Sequence, residues 1–295
     1  MPMIGVAGLG RMGAAMAQRL IETGASVVVW NRSAEKCEPL RVRGATVAAS
    51  PAALAGLCEV IITILTDAEA IETVYRGRDG LLSGTVAGKL FIEMSTVRPQ
   101  TEQALARDVA AAGAAFVECP VGGTVGPALK GQLIGFAGGD AAAVERARPV
   151  LEALCRRFDH VGEVGAGSSF KLAINLPLAV YWQALGEAFA LCEHLPIDRA
   201  KMIEIFQETS GAPNVLKARG ATVAEALGGK ALGPGLFDCD GMRKDLRTMI
   251  AEAGSKGYQL PVAGAALAVF DEASAAGWGG KDCMEMPTYT VKRGA

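Results

Sequence analysis

Short apolar runs alternate with stretches of helical periodicity through the first half of the chain. Runs rich in β-branched and aromatic residues lie at residues 4–7, 27–30, 60–65, 90–94, 116–118 and 134–137. Residues 12–22, between the first two runs, repeat apolar side chains at helical spacing, and Thr23-Gly24 follows as a helix stop. Strands that alternate with helices form βαβ units, and strands that are apolar on both faces are covered by helices on both sides. We therefore predict a doubly wound, mostly parallel α/β sheet in residues 1–164.

The pattern changes after Gly167, where β-branched runs disappear and helical spacing continues almost to the end of the chain. One apolar stripe persists through residues 168–195. Pro177 inside this stripe predicts a kink or a split, because proline lacks the N–H donor and clashes with the preceding turn. Residues 165–295 are therefore predicted to form a second, all-helical domain, with a poorly ordered tail from residue 284.

The charge balance limits the possible partners. Lys and Arg number 29 against 31 Asp and Glu, so the formal net charge is -2 and gives no basic surface for nucleic acid or an anionic membrane. No apolar run is long enough to span a bilayer, and no signal-peptide pattern precedes the first strand, which predicts a cytoplasmic protein. A small-molecule partner is therefore expected.

Cysteine and histidine usage argues against a metal site. The 7 cysteines are scattered without a C-x-x-C pair, which fits a reducing compartment. The 2 histidines, His160 and His194, are not near cysteine or carboxylate clusters at metal-ligand spacing. The chemistry is therefore expected to depend on other residues, without a metal.

The first strand runs directly into the turn Gly8-Leu9-Gly10-Arg11-Met12-Gly13, which opens a helix. In this context the G-x-G-x-x-G pattern indicates a dinucleotide site of Rossmann type. The first glycine permits the tight turn, the second lets the backbone approach a pyrophosphate, and the third allows close helix packing. The free N–H groups of the helix N-terminus then face the anion. A tight turn without a ligand is the alternative interpretation.

The second strand ends in Trp30-Asn31-Arg32-Ser33, where enzymes that bind NAD usually present a carboxylate to the ribose 2′-hydroxyl group. A carboxylate would repel the 2′-phosphate of NADP. Arg32 instead offers a planar set of donors, and Asn31 and Ser33 add neutral ones. The sequence therefore favours NADP. The alternative is that Asn31 or Ser33 caps the next helix while Arg32 is only solvated, and both interpretations can hold together.

Several motifs, in order along nearly the full chain, carry a family resemblance. The chain opens with GLGRMGAAM and continues with Met94-Ser95-Thr96-Val97, Cys119-Pro120-Val121-Gly122-Gly123, Gly165-Ala166-Gly167 followed by Lys171 and Asn175, and Lys244-Asp245-Leu246. On these motifs the chain resembles the β-hydroxyacid dehydrogenases, the family of 3-hydroxyisobutyrate dehydrogenase and glyoxylate/succinic semialdehyde reductase. The resemblance implies a Rossmann-type domain, a helical domain and homo-oligomeric assembly. The apolar helical surface of the second domain suggests a homodimer or homotetramer.

The resemblance also implies roles for individual positions. In the family, the nicotinamide side of the cofactor is lined by the residues that match Leu65, Thr66 and Thr96. The residues that match Lys171 and Asn175 work at the substrate, and the one that matches Lys244 approaches the cofactor. For Lys244 the alternative is a surface charge pair with Asp245, which would contribute little to stability.

The substrate loop departs from the family pattern. Relatives commonly read D-A-P-V-S-G-G, whereas this chain reads Glu118-Cys119-Pro120-Val121-Gly122-Gly123-Thr124. The serine whose hydroxyl helps to hold a substrate carboxylate is thus replaced by Gly122. Backbone N–H groups of Gly122 and Gly123, and the Thr124 hydroxyl, are left for that work, although a plain turn is a competing interpretation. The identity of the substrate is thereby left open.

Lys171 is the candidate for moving the proton that accompanies hydride transfer. A poorly solvated lysine, or one close to other positive charge, has its pKa lowered toward the working pH, where it can donate to a forming alkoxide. Asn175 follows one helical turn later on the same face, so it can orient Lys171 or the substrate hydroxyl. Ser95 and Thr96 end a strand on its carboxyl side, where they contact substrate or nicotinamide, or only cap the strand.

These residues together predict an NADP(H)-dependent oxidoreductase that prefers NADPH. It would transfer a hydride between the nicotinamide and a small β-hydroxy acid, semialdehyde or keto acid, with Lys171 as general acid/base. The altered loop at Gly122 and Thr124 suggests an imine reductase of related fold as one alternative, and a non-catalytic NADP-binding module is another. Lys171 argues against both, because imine reductases generally carry a different residue there and a module needs no Lys171–Asn175 pair.

Overall fold

The computed structural model describes residues 2–233 and 235–293, and its contacts divide the chain into two compact units. The first unit is Met1–Ala173 and the second is Ile174–Ala295. The first unit contains the sheet, and the second is built of helices. The predicted fold class, a mostly parallel α/β sheet followed by a helical domain, is confirmed.

Among the described residues, nine strands form one sheet. They are β1 (Ile4–Ala7), β2 (Val27–Trp30), β3 (Thr46–Val47), β4 (Val60–Thr63), β5 (Leu90–Glu93), β6 (Ala115–Glu118), β7 (Val121–Gly122), β8 (Leu133–Gly139) and β9 (Cys155–Gly162). Their order is β3-β2-β1-β4-β5-β6-β8-β7, and β9 pairs with β8. Strands β1 to β6 are parallel, whereas β8 runs antiparallel to β6 and β7. The direction of winding reverses between β1 and β4, which is the switch point where such sheets bind ligands.

The carboxyl ends of four central strands lie level with one another. Ala7 pairs with Thr63, Thr63 pairs with Glu93, and Glu93 pairs with Glu118. Thr63, Glu93 and Glu118 have no exposed surface. A row of buried polar side chains therefore lies along the edge at which an open α/β sheet binds its ligand.

Among the described residues, seven α-helices lie between the strands of the first unit. They are α1 (Arg11–Glu22), α2 (Glu38–Val42), α3 (Pro51–Leu57), α4 (Ala68–Arg76), α5 (Pro99–Ala111), α6 (Val125–Leu129) and α7 (Ala141–Leu154). Successive residues of a strand point to opposite faces, so Val6 and Ile62 join one apolar cluster while Ile61 and Phe91 join another. Both faces of the central strands are therefore buried, as expected for strands whose residues are apolar on both faces.

The strand predictions agree with six of the nine strands in the described residues. The predicted ranges 4–7 and 27–30 coincide with β1 and β2, and the other four end within a residue or two of β4, β5, β6 and β8. Three strands were not predicted. β3 and β7 contain only two residues each, and β9 carries arginine, aspartate and histidine without an apolar run. Such strands are specified by their neighbours in the sheet rather than by a pattern of their own.

A long helix, α8 (Ala166–Cys192), spans the division between the two units in sequence. The helix continues through Pro177, so the predicted split does not occur. The ring of Phe170 packs against that of Phe136 in β8, with centroids 5.2 Å apart. Contacts of this kind group the first turns of α8 with the sheet, and the contact division falls between Ala173 and Ile174. The predicted domains, 1–164 and 165–295, stay a prediction.

Within the described residues, the second unit contains the rest of α8 and five further α-helices. They are α9 (Arg199–Gln207), α10 (Asn214–Leu227), α11 (Cys239–Ser255), α12 (Pro261–Ala273) and α13 (Met286–Arg293). The expectation of a poorly ordered tail from residue 284 is wrong as far as residue 293, because α13 is a packed helix with Met286 and Thr290 buried. A carbon atom added at Gly186 of α8 would lie 2.8 Å from Thr290, so the two helices touch closely there. Residues 294–295 lie outside the described residues.

All seven cysteines are free thiols, and six of them are buried. Burial raises the pKa of Cys58, Cys155 and Cys239 to about 12 each. Cys192, at the end of α8, is half-buried. In the part of the chain that the structure describes, no group of His, Cys, Asp and Glu is arranged to hold a metal ion. None of the described helices combines the length and apolar character that crossing a membrane requires.

Candidate active site

The glycine-rich turn between β1 and α1 is held by contacts that exclude side chains. Gly8 has φ of +99°, and a carbon atom added there would lie 2.3 Å from the carbonyl oxygen of Ile64. A carbon atom added at Gly13 would lie 1.9 Å from the carbonyl oxygen of Gly8. Gly8 and Gly13 therefore cannot be replaced by residues with a side chain, because the backbone packs directly against backbone at both positions.

The third glycine leaves open space. A carbon atom added at Gly10 would meet nothing within 4 Å, and Gly10 is the N-cap of α1, with no side-chain hydrogen bond to the first N–H groups. Arg11, the first residue of the helix, is exposed. The positive end of the helix dipole and its N–H groups suit an anion at this place. The residues present therefore fit the pyrophosphate of a dinucleotide.

Asn31 connects the end of β2 to this turn. Its side-chain oxygen accepts a hydrogen bond from the N–H of Leu9 at 2.8 Å, and its Nδ2 donates to the carbonyl oxygen of Ser33 at 3.0 Å. The amide of Asn31 thus shapes the turn from within. Arg32 is exposed beside it, and Ser33 is half-buried at the N-cap of a short 3₁₀ helix, with no side-chain capping hydrogen bond. The structure therefore brings Leu9, Asn31 and Ser33 together.

The loops after β4 and β5 are joined by one hydrogen bond. The N–H of Leu65 donates to the hydroxyl oxygen of Ser95 at 2.7 Å. Ser95 is buried, whereas Thr66 is exposed and Thr96 is half-buried. Of the residues predicted in these two loops, Ser95 therefore lies in the interior and holds the loops together, and the others lie nearer to the surface.

Two buried glutamates lie beneath these loops, and the sequence did not single them out. Glu93 accepts hydrogen bonds from Ser95, at 2.9 Å from the N–H and also from the hydroxyl. Glu102, in the first turn of α5, has no exposed surface and contacts the carboxyl group of Glu93. Burial raises the pKa of both carboxyl groups, and the charge of Glu93 raises that of Glu102 further.

A third buried glutamate, Glu118, holds the start of α8. Its Oε1 accepts from the N–H groups of Gly165 and Gly167 at 2.6 and 2.8 Å. Its Oε2 accepts from Ser168, at 2.5 Å from the hydroxyl and 3.3 Å from the N–H. Burial raises the pKa of Glu118, while these hydrogen bonds act in the opposite direction. One carboxyl group therefore accepts the N–H of Gly165 and two of the first N–H groups of the helix that carries Lys171.

The substrate loop places Gly122 in β7, opposite Ile134 of β8. A carbon atom added at Gly122 would come no closer than 3.8 Å to another atom, so a Cβ would fit there in ordinary van der Waals contact. Gly123 has φ of +124°, and Thr124 is the N-cap of α6 without a side-chain capping hydrogen bond. The loop is therefore a tight glycine turn in which Gly122, unlike Gly123, is not required by the backbone.

Lys171 and Asn175 lie one turn apart on α8, and both are buried, with exposed fractions of 8% and 9%. The side-chain nitrogen of Asn175 donates to Asp245 Oδ2 at 3.2 Å, and Lys244 Nζ lies 2.9 Å from Asp245 Oδ1. Asp245 is 3% exposed. The Lys244–Asp245 pair is therefore more than a surface charge pair, because its carboxylate is buried and also holds Asn175.

Comparison with protein families matches both halves of the chain. Residues 3–162 match the NAD binding domain of 6-phosphogluconate dehydrogenase, and residues 165–289 match the NAD-binding domain of NADP-dependent 3-hydroxyisobutyrate dehydrogenase. The chain belongs to the β-hydroxyacid dehydrogenase family. It is therefore an oxidoreductase of a family that binds a nicotinamide cofactor and acts on hydroxy acids and semialdehydes.

Individual relatives and solved structures support this assignment. The chain is 33% identical over 279 residues to glyoxylate/succinic semialdehyde reductase 1 of Arabidopsis thaliana, covering 95% of each protein. A crystal structure of 3-hydroxyisobutyrate dehydrogenase from Salmonella typhimurium superimposes with a TM-score of 0.86 at 26% identity, covering 97% of this chain and 99% of the other. Psf3 in complex with NADP⁺ and 2-OPP gives the same TM-score and coverage at 28% identity.

Proposed function

We propose that this β-hydroxyacid dehydrogenase is an NADP(H)-dependent reductase of a small semialdehyde or keto acid, with Lys171 as general acid/base. The observation that carries the proposal is the buried Lys171, one helical turn from Asn175, on a helix whose start is held by Glu118. A lysine that only extended from an amphipathic helix would place its amine in water. A buried amine with a hydrogen-bonding neighbour suits proton transfer.

The cofactor would be held by the groups at the sheet edge. The N–H groups at the start of α1 and the turn from Gly8 to Gly13 would bind the pyrophosphate, and Arg32 would bind the 2′-phosphate that distinguishes NADP from NAD. Leu65, Thr66 and Thr96 would contact the nicotinamide, and Lys244 would approach the cofactor. When bound, the cofactor would supply or take up the hydride.

Lys171 would supply the proton that the reduction requires. Its ammonium group would donate to the carbonyl oxygen of the substrate as negative charge develops there, and in the reverse direction its amine would accept the hydroxyl proton. Asn175 is held by Asp245, so its amide would keep a fixed orientation toward the substrate or Lys171. The division of labour is therefore proton transfer at Lys171 and orientation at Asn175.

The substrate is proposed to carry a carboxylate. Two of the relatives are named for glyoxylate and succinic semialdehyde or for 3-hydroxyisobutyrate, which are small acids. In this chain the backbone N–H groups of Gly122 and Gly123, together with Thr124, would bind that carboxylate without the serine that relatives commonly use. A missing hydroxyl also leaves room, so a substrate bulkier than glyoxylate is expected.

The decisive experiment compares the wild type with Lys171→Ala in NADPH oxidation. The substrates are glyoxylate, succinic semialdehyde, methylmalonate semialdehyde, tartronate semialdehyde and a cyclic imine. We expect turnover of at least one aldehyde or keto acid, and a loss of kcat of about a hundredfold or more in Lys171→Ala, with the Kd for NADPH unchanged. Lys201→Ala, which removes an exposed lysine, is the matched control and should retain the activity.

Two other outcomes would replace this proposal. Turnover of the cyclic imine alone would indicate an imine reductase, the alternative suggested by the altered loop at Gly122 and Thr124. Tight NADPH binding without turnover of any substrate in the panel would favour a non-catalytic NADP-binding module.

A further inference from the structure

The carboxyl groups of Glu93 and Glu102 form a pair in the interior, beneath the ends of β4 and β5. Neither residue has any exposed surface. Neither oxygen of Glu102 accepts a hydrogen bond from a donor among the described residues, and its carboxyl group contacts that of Glu93. Two carboxylates in contact away from water cannot both be charged, so the pair must retain a proton.

The neighbours of the pair decide which member carries the proton. Glu93 accepts from the N–H and the hydroxyl of Ser95, and more weakly from the Thr63 hydroxyl at 3.4 Å. Donors of this kind favour the charged form of Glu93. Burial first, and then the charge of Glu93, raises the pKa of Glu102 well above its ordinary value. Glu102 is therefore the acid, and its O–H donates to the carboxylate of Glu93.

The neighbouring charges that raise the pKa of Glu102 come from acidic groups. The charged groups that act on Glu102 are Glu93 from β5 and Glu118 from β6, and both are acidic. Tyr75, from α4, lies behind Thr63 with its hydroxyl 2.8 Å from the Thr63 oxygen, and burial raises its pKa well above the ordinary value. A proton on Glu102 is therefore the means by which this region limits its buried charge.

Ser95 transmits the position of Glu93 to the loops above it. The single hydroxyl hydrogen of Ser95 is donated in a hydrogen bond to Glu93. The hydroxyl oxygen of Ser95 can therefore accept a hydrogen bond from the N–H of Leu65, at 2.7 Å. The series Glu102, Glu93, Ser95, Leu65 therefore ties the loop after β4 to the loop after β5. Those loops carry Thr66 and Thr96.

We propose that Glu102 is a positioning residue for the nicotinamide. Its carboxylic acid proton lets Glu93 hold Ser95 in the interior, and Ser95 fixes the spacing of the two loops that would contact the ring. The identity of the ring rests on the proposed function above, whereas the proton-sharing pair is a property of the free protein. The two parts can therefore be tested separately.

Two substitutions at Glu102 separate positioning from filling of space. Glu102→Gln keeps a neutral donor to Glu93, and Glu102→Leu fills the same space without a donor. We expect the Kd for NADPH to stay within about twofold of the wild type in Glu102→Gln and to rise about tenfold in Glu102→Leu. Glu145→Leu makes the same change at an exposed position on α7 and should leave the Kd unchanged.

Infrared spectroscopy with ¹³C-labelled glutamate tests the proton directly. The wild type near neutral pH should show the C=O band of a buried carboxylic acid, and Glu102→Gln should lack it. The pH profile adds a second readout: the affinity of the wild type for NADPH should fall at alkaline pH as the pair loses its proton, and Glu102→Gln should not show this fall.

Should Glu102→Leu fail to fold, Ser95→Ala breaks the same series at its next member. It should weaken NADPH binding to a similar extent, and where both variants fold their effects should not add. Equal NADPH affinity in Glu102→Gln and Glu102→Leu, or in Ser95→Ala and the wild type, would overturn the positioning role. Absence of the carboxylic acid band would overturn the pair itself. Failure of the wild type to bind NADPH or NADH would overturn the proposed function and the positioning role together, and the infrared band would still decide the pair.

Discussion

Asn31 and Arg32 are neighbours in the chain, yet their side chains have different tasks. The Asn31 side-chain oxygen accepts a hydrogen bond from the N–H of Leu9, and its Nδ2 donates to the carbonyl oxygen of Ser33. Asn31 therefore shapes the glycine-rich turn. Arg32 is exposed at the end of β2. Discrimination between NADP and NAD is therefore expected to depend on Arg32, with Asn31 supporting the turn.

Arg32→Ala tests this assignment. A charge-assisted bond between the guanidinium and the 2′-phosphate would be lost, so the KM for NADPH should rise about tenfold or more, while the KM for NADH should change little. Steady-state kinetics with both cofactors measure the effect. Arg43→Ala, at another exposed arginine of the same unit, is the control. An equal rise for the two cofactors would show that Arg32 does not recognise the phosphate.

Glu102 also predicts how stability depends on pH. Its pKa in the fold lies well above the ordinary 4.5, so the folded protein keeps a proton that the unfolded chain releases. The contribution of this proton to the free energy of unfolding is fully present below about pH 4.5. It declines as pH rises toward the raised pKa, by about 1.4 kcal/mol per pH unit for one proton. Glu102→Gln has no such proton. Its free energy of unfolding should therefore rise relative to that of the wild type between pH 5 and pH 8. Urea unfolding at several pH values measures the difference, and a constant difference would contradict the prediction.

Residues differ in how much of their role the sequence reveals. The roles of Gly8 and Gly13 can be recognised in the sequence, because close backbone contacts require glycine at these fixed positions after a strand. Glu102 is not visible, because an acid in the first turn of a helix is favoured by the helix dipole even when it is solvated. Burial of Glu102 comes from the packing of α5 on the sheet, and no local pattern encodes it. The same is true of Asp245, which the sequence left open as a surface pair.

At the scale of elements, the start of α8 depends on a residue from a different strand. Glu118 ends β6 and accepts the N–H groups of Gly165, Gly167 and Ser168. Lys171 follows within the next turn. The start of the helix that carries Lys171, the proposed proton donor, is therefore held by a carboxyl group far from it in the sequence.

Glu118→Ala should remove this support. The N–H groups at the start of α8 would lose a buried acceptor, so the free energy of unfolding should fall by about 2–3 kcal/mol and kcat should fall as well. Asp140→Ala removes the N-cap of α7, where Asp140 accepts from Ala142 and Ala143, and should cost about 1 kcal/mol without a change in kcat. Denaturant unfolding and kinetics on the same preparations compare the two. A loss of stability with unchanged kcat in Glu118→Ala would limit its role to folding.

Elements with their own periodicity could be predicted, and those that depend on partners could not. Six apolar strands were located because each is an apolar run, and α1 was located because its apolar residues repeat at helical spacing. β7 and β9 complete the sheet by pairing with β8, and α13 buries short polar side chains such as Thr290 beside Met286. Such residues do not produce an apolar stripe, so the tail was wrongly expected to be poorly ordered.

At the scale of the whole molecule, the second unit exposes large apolar side chains. Leu191 in α8, Ile205 in α9 and Val262 in α12 are 78%, 48% and 58% exposed. Single exposed apolar residues are common, but several on one helical unit favour contact with another copy of the chain. The sequence alone suggested a homodimer or homotetramer, and these side chains are candidates for that interface.

Light scattering during gel filtration should therefore give the mass of a dimer or tetramer. Leu191→Glu should shift the equilibrium toward smaller species, because a charge in an apolar interface carries a desolvation penalty. Leu57→Glu, at an exposed leucine on α3, should leave the mass unchanged. A monomeric wild type at assay concentrations would contradict the prediction.

The distribution of the cysteines has a practical consequence. Six thiols are buried, and burial raises the pKa of each, so few of them are present as the reactive thiolate. Cys192 is partly accessible, at the end of the helix that also carries Lys171 and Asn175. The unmodified protein therefore offers a single preferred position for a maleimide dye. A fluorophore at Cys192 would report movement of α8 during turnover without any engineered cysteine.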